Sequence, residues 1–130
     1  MAHATGTIGK TNYAVALQTG AFALTADEPG SRGGQDAGPA PFDLLASALA
    51  ACTAITLRMY AERKQWQLDE ARVDVRFKRA ADSSASIERV LTLAGNLDAE
   101  QRARLADIAE RTPVTLTLKS GIAIHTTLAP

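Results

Sequence analysis

The sequence predicts an α+β fold in which mostly antiparallel sheet surrounds one almost wholly apolar helix. Two observations carry this expectation. Short segments near both ends of the chain alternate apolar and polar residues, as half-buried strands do. Between them, residues 44–57 carry no charge at all and are apolar or small on every side of a helix. At 130 residues the chain has the length of a single domain that can bury its own core.

The first third reads as a small meander of strands at residues 5–9, 13–17 and 21–26. Asn12 and the pair Thr19-Gly20 supply its turns, because Asn and Gly tolerate the left-handed backbone that tight hairpins need. From 27 to 41 the composition shifts to Asp, Glu, Pro, Gly, Ser and Arg, which marks a loop. Pro39-Ala40-Pro41 then opens the central helix, since proline fits a first turn whose N–H groups lack partners anyway. Asp43 near its start and Arg58, Arg63 and Lys64 near its end match the helix dipole, so the helix is expected to run to about Lys64.

Val73, Val75 and Phe77 alternate with Asp74, Arg76 and Lys78, predicting a strand, and residues 87–94 predict a second one after the polar turn Asp82-Ser83-Ser84. The two are expected to form a hairpin. Asp98 followed by Gln101 makes a capping-box start for another helix, with Leu105, Ile108 and Ala109 on its apolar face, and Thr112-Pro113 ends it. Residues 114–118 alternate like a strand, yet a Thr cap followed by Pro is a helix-start signal, and a short helical turn is the preferred reading. After Gly121, a last strand is expected with Ile122, Ile124, Thr126 and Leu128 on one face.

Lys plus Arg and Asp plus Glu number 14 each, so no broad field attracts phosphate backbones, and no nucleic-acid partner is expected. The charge-free stretch is shorter than a bilayer-spanning segment and the N-terminus lacks signal-peptide character, so the expectation is a cytoplasmic protein without a membrane partner. His3 and His125 stand alone, without ligands at metal spacing, and no metal or cofactor is expected. Cys52 is the only cysteine, which excludes an internal disulfide and fits a reducing compartment. At helical spacing its neighbours are Leu45, Ala48, Leu49, Ile55, Thr56 and Met59. Two readings follow: a buried thiol packed as a small hydrophobe, or a reactive thiol, which needs a nearby positive charge or helix N-terminus.

The chain resembles the OsmC/Ohr family of organic hydroperoxide reductases. The residues carrying the resemblance are Asp27-Glu28-Pro29, Gly33-Gly34, Gly38-Pro39-Ala40-Pro41 entering Leu44-Leu45, the helix block 49–61 around Cys52, and Arg111-Thr112-Pro113-Val114. The resemblance implies an intertwined homodimer, with long central helices packed between antiparallel sheets built from both chains. It also implies a thiol at Cys52 that attacks the O–O bond of an organic hydroperoxide. The position of the family's second cysteine is Thr112, so a sulfenic acid formed on Cys52 would have to be reduced by an external thiol. The family's acidic residue falls on Phe42, with Asp43 one position later and about 100° away around the helix. Lys10 is the nearest match to the family's thiol-activating arginine, and Arg32 is a second candidate.

Two functions remain open at this point. One is a one-cysteine thiol peroxidase acting in oxidative stress defence. The other is a catalytically degenerate dimer with a structural role or with an interface pocket for a small apolar ligand, lined by Phe42, Leu45, Cys52 and Thr112.

Overall fold

A three-stranded antiparallel meander opens the chain in the computed structural model, which describes residues 1–130. Strands β1 (Thr5–Thr7), β2 (Val15–Thr19) and β3 (Phe22–Ala26) lie in sequence order. Thr19 pairs with Phe22, which leaves a two-residue turn, and Gly20 takes the left-handed φ of 58° that such a turn demands. The meander belongs to the first of two compact units, Met1–Ala46 and Ser47–Pro130. In the first unit Phe22 and Leu24 of the sheet and Ile8 and Tyr13 of the β1–β2 connection are exposed, and little beyond Ala26 and Asp27 is buried.

The loop after β3 is shaped by Asp27, which is 2% exposed. Its carboxylate accepts hydrogen bonds from the backbone N–H groups of Tyr13, Glu28, Gln35 and Ala37 at 2.7–3.2 Å. Burial pushes this carboxyl's pKa up, but the four donors together outweigh burial and hold it below the ordinary aspartate value. A short 3₁₀ turn, Gly30–Arg32, lies within the loop. Gly38 passes so close to β3 that a Cβ there would sit 2.0 Å from the Thr25 carbonyl oxygen.

Helix α1 (Pro41–Lys64) has the extent its end signals predict and crosses the division between the two units. The Asp43 carboxylate reaches back to the Ala40 N–H at 3.1 Å, which fixes the first turn. At the other end Gln65 adopts φ 57°, the Gln65 N–H bonds the Glu62 carbonyl, and the Trp66 N–H bonds the Ala61 carbonyl. That pattern is a Schellman stop built on a non-glycine residue. Leu49, Thr53, Leu57 and Ala61, spaced by four, form the buried stripe of α1, while Phe42, Ile55 and Met59 remain exposed. By length and composition alone α1 is long and apolar enough to cross a membrane. Its buried stripe nonetheless belongs to a protein core.

That core lies in the second unit. Strands β4 (Glu70–Arg79) and β5 (Ala85–Ala94) form a long hairpin in which Phe77 pairs with Ile87, Val75 with Arg89, Val73 with Leu91 and Ala71 with Leu93. Helix α2 (Ala99–Ala109) starts with the predicted capping box: the Gln101 N–H donates to Asp98 Oδ1 at 2.8 Å, and the Asp98 N–H donates to Gln101 Oε1 at 3.0 Å. Leu57 and Ala61 of α1 pack with Leu68, Leu97, Leu105 and Ala109, flanked by Trp66, Leu91, Leu93 and Ile108. Arg102 fastens the link between β5 and α2 by donating to the carbonyls of Leu93, Gly95 and Leu97.

The Thr112-Pro113 signal starts a real helix, α3 (Pro113–Ser120), with Thr112 as its N-cap. The last predicted strand is a correction. Residues 121–130 form no strand, and Ile122, Ile124 and Leu128 are 67%, 86% and 94% exposed. Alternation decides which side chains share a face, but a strand exists only where its backbone finds a partner edge, and no strand of this chain pairs with the tail.

Candidate functional site

Cys52 sits in the fourth turn of α1, half-buried, between the enclosed Leu49–Thr53 side of the helix and the exposed Ile55 side. Cys52 forms no disulfide, and the residue as a whole is partly exposed. The next residue, Thr53, is fully enclosed and donates its hydroxyl to the Leu49 carbonyl at 2.7 Å. That same hydroxyl accepts a hydrogen bond from Arg89 Nη1 at 3.1 Å.

Arg89 is the centre of a buried polar cluster in the second unit. It occupies an inward position of β5, in line with Ile87, Leu91 and Leu93, and its side chain is only 11% exposed. A charge on that face is stable only if its N–H groups are met. Nη1 donates to the Thr53 and Thr115 hydroxyls at 3.1 and 2.9 Å, and Nη2 donates to the Ala109 carbonyl at 2.9 Å. Nη2 also faces the Glu110 carboxylate at 3.6 Å, and Lys119 binds the other oxygen of that carboxylate at 3.0 Å. The Lys119 hydrogen bond leads in lowering the Glu110 pKa, burial opposes it, and the charges of Lys119 and Arg89 add to the lowering. The Thr112 and Thr115 hydroxyls share a hydrogen bond of 2.6 Å, which ties the N-cap of α3 to the same cluster. One strand and three helix segments are thus held together by a single guanidinium.

Residues 33–127 match the family described as OsmC-like protein. The chain belongs to the OsmC-like family. Its α+β architecture of antiparallel sheets and three helices agrees with solved OsmC-like structures. An OsmC-like protein from Mycoplasma pneumoniae superposes with TM-score 0.79 at 20% identity, covering 92% of this chain and 87% of that one. The organic hydroperoxide resistance protein OhrB of Bacillus subtilis gives TM-score 0.61 at 23% identity, with 90% of each chain covered. An organic hydroperoxide resistance protein OsmC from Legionella pneumophila gives TM-score 0.68 at 19% identity, covering 92% and 89%. At these identities the likeness speaks to the fold. No match was found among curated proteins.

The residues picked out by the OsmC/Ohr resemblance fall in different settings. Lys10 and Arg32 are exposed on the first unit. Asp43 caps α1, Phe42 beside it is 47% exposed, and Leu45 is half-buried. Thr112 is fully enclosed, its hydroxyl bonded to Thr115. No three His, Cys, Asp or Glu side chains come together where a metal ion could be held. Sequence reasoning missed Arg89 and its hydroxyl partners, although a signal was present. In Ile87-Glu88-Arg89-Val90-Leu91-Thr92-Leu93 the arginine stands at an apolar position of the alternation. Asp27 carries part of the family resemblance, but nothing in its polar run marks it as the one carboxylate that becomes the loop's organising acceptor.

Proposed function

We propose that this OsmC-like chain is a one-cysteine thiol peroxidase that acts as a homodimer and reduces small organic hydroperoxides through Cys52. The observation that carries the reading is Cys52 itself, the only cysteine of the chain, partly exposed in the middle of the helix that carries the family resemblance. The Cys52 thiolate attacks one peroxide oxygen, the O–O bond breaks, and the leaving alkoxide takes a proton to become the alcohol. Sulfur is oxidised by two electrons to the sulfenic acid. Thr112 offers no thiol, so an external thiol condenses with the sulfenic acid, releasing water and forming a mixed disulfide. A second external thiol then regenerates Cys52 and leaves as a disulfide with the first.

Support for the dimer comes from the apolar surface the single chain leaves uncovered. On α1, Ile55 and Met59, one helical turn apart, are 53% and 58% exposed, and the alternating apolar residues of the tail are bare. Exposed apolar surface of this kind marks an interaction site in a stable protein.

A second reading, an inactive dimer that binds an apolar ligand, is favoured by one observation: the Asp43 carboxylate is engaged in capping α1. The two readings part in a turnover assay with cumene hydroperoxide and dithiothreitol. Peroxidase function predicts catalytic loss of peroxide that disappears in Cys52→Ser. Loss at the same rate with both proteins, or none with either, rejects it.

A further inference from the structure

Beside the Arg89 cluster lies a cavity of about 190 Å³, formed wholly by the second unit. Leu49, Ile87 and Leu118 make its apolar wall, and Arg89, Thr115, Glu110 and Lys119 make its polar side. Cys52 is not among its lining residues.

Three features define what would fit. The first is size: a cavity of about 150 Å³ can hold benzene, so this one has room for a single ring or short alkyl body and a small polar group. The second is charge. Two cations and one carboxylate line the cavity, leaving one positive charge in excess, and the Arg89 guanidinium is pinned by Thr53, Thr115 and Ala109. A donor held in place in this way loses little freedom when it binds an anion. The third is the position of Glu110. Its carboxylate stands 3.6 Å from Arg89 Nη2, too far for a good hydrogen bond, and 3.0 Å from Lys119 Nζ. Glu110 and Lys119 are both 60% exposed, so both side chains can swing away into solvent without disturbing the core.

We propose that this cavity is a binding site for a small monocarboxylate with an apolar body, and that Glu110 is the tethered carboxylate such a ligand displaces. The ligand's carboxylate takes the place of Glu110 between Arg89 and Lys119, and its body lies against Leu49, Ile87 and Leu118. Phosphate and sulfate match the charge but not the wall, and a neutral aromatic matches the wall but not the charge.

The test is a titration of methyl-labelled protein with sodium benzoate, read at the methyl resonances of Ile87, Leu49 and Leu118. Saturable shifts are expected at these methyls. Glu110→Gln, which removes the internal competitor, is expected to tighten benzoate binding about two- to fivefold, and Lys119→Gln to weaken it by a similar factor. Both positions are surface-exposed, so the variants should fold as the parent does. Benzyl alcohol and inorganic phosphate are expected to give no saturable shifts at these methyls. The proposal is overturned if benzoate gives none, if Glu110→Gln leaves affinity unchanged or lowers it, or if benzyl alcohol or phosphate binds as well as benzoate.

Discussion

Replacing Thr115 by valine keeps the shape of a side chain that is 5% exposed and removes one hydroxyl from the Arg89 cluster. That hydroxyl accepts from Arg89 Nη1 at 2.9 Å, shares a 2.6 Å bond with Thr112, and donates weakly to the Ala109 carbonyl at 3.4 Å. A hydrogen bond to a charged group contributes about 1.5–3 kcal/mol and a neutral one about 1 kcal/mol. Relief from burying the hydroxyl offsets about 1 kcal/mol of that sum. Arg89 keeps its bonds to Thr53 and Ala109, so no bare charge is left behind. With the weak 3.4 Å bond counted at about half a neutral one, the expected loss for Thr115→Val is about 2–3.5 kcal/mol. In an Arg89→Met background the charged bond is already absent, and the same change should cost only about 0.5 kcal/mol. The coupling between the two positions is then the charged bond itself, about 1.5–3 kcal/mol, measurable as a double-mutant cycle. Urea unfolding followed by far-UV circular dichroism, at fixed protein concentration and with unchanged m-values, gives all four stabilities. A Thr115→Val loss under about 0.5 kcal/mol, or strictly additive effects, would refute the view that one guanidinium organises this cluster.

Gly38→Ala should cost about 3 kcal/mol, because the added carbon meets the Thr25 carbonyl at 2.0 Å, whereas Gly9→Ala, with nothing within 4 Å, should be near neutral; thermal unfolding of both checks this, and equal effects would contradict it. The folded-state pKa of Asp27 is depressed, so its stabilising contribution is present above the ordinary aspartate pKa and is lost as pH falls through the lower folded value. Asp27→Asn should thus lower stability at neutral pH and flatten the acid limb of the melting-temperature profile; profiles that stay parallel would contradict this. Light scattering on a sizing column should find twice the chain mass of 13.7 kDa, and a well-folded species at 13.7 kDa would remove the dimer from the account.

Much of the fold was legible because its signals are local. Pro39-Ala40-Pro41 and the basic turn at Arg63-Lys64 bracket α1, Asp98 and Gln101 form the capping box they announce, and Thr112-Pro113 starts a helix despite the strand-like alternation after it. The misread element was the tail, where alternation was complete but pairing depends on a partner edge that no pattern within the segment specifies. The cysteine was equally plain in the sequence. The polar cluster was not, because Thr53 and Thr115 lie 36 and 26 positions from Arg89 and are united with it only by the packing of β5 against α1 and α3. A lone arginine on an apolar face was its one local trace.

On the proposed peroxidase reading, Cys52 reacts with organic hydroperoxides and, without an external thiol, rests at the sulfenic acid. This is tested most directly by intact-mass analysis of fully reduced protein after exposure to cumene hydroperoxide in the presence of dimedone. A single dimedone adduct is expected, placed on Cys52 by peptide mapping and abolished by Cys52→Ser. An unmodified Cys52 after exposure that oxidises a free-thiol control would contradict it, and would leave this thiol a packing residue of α1.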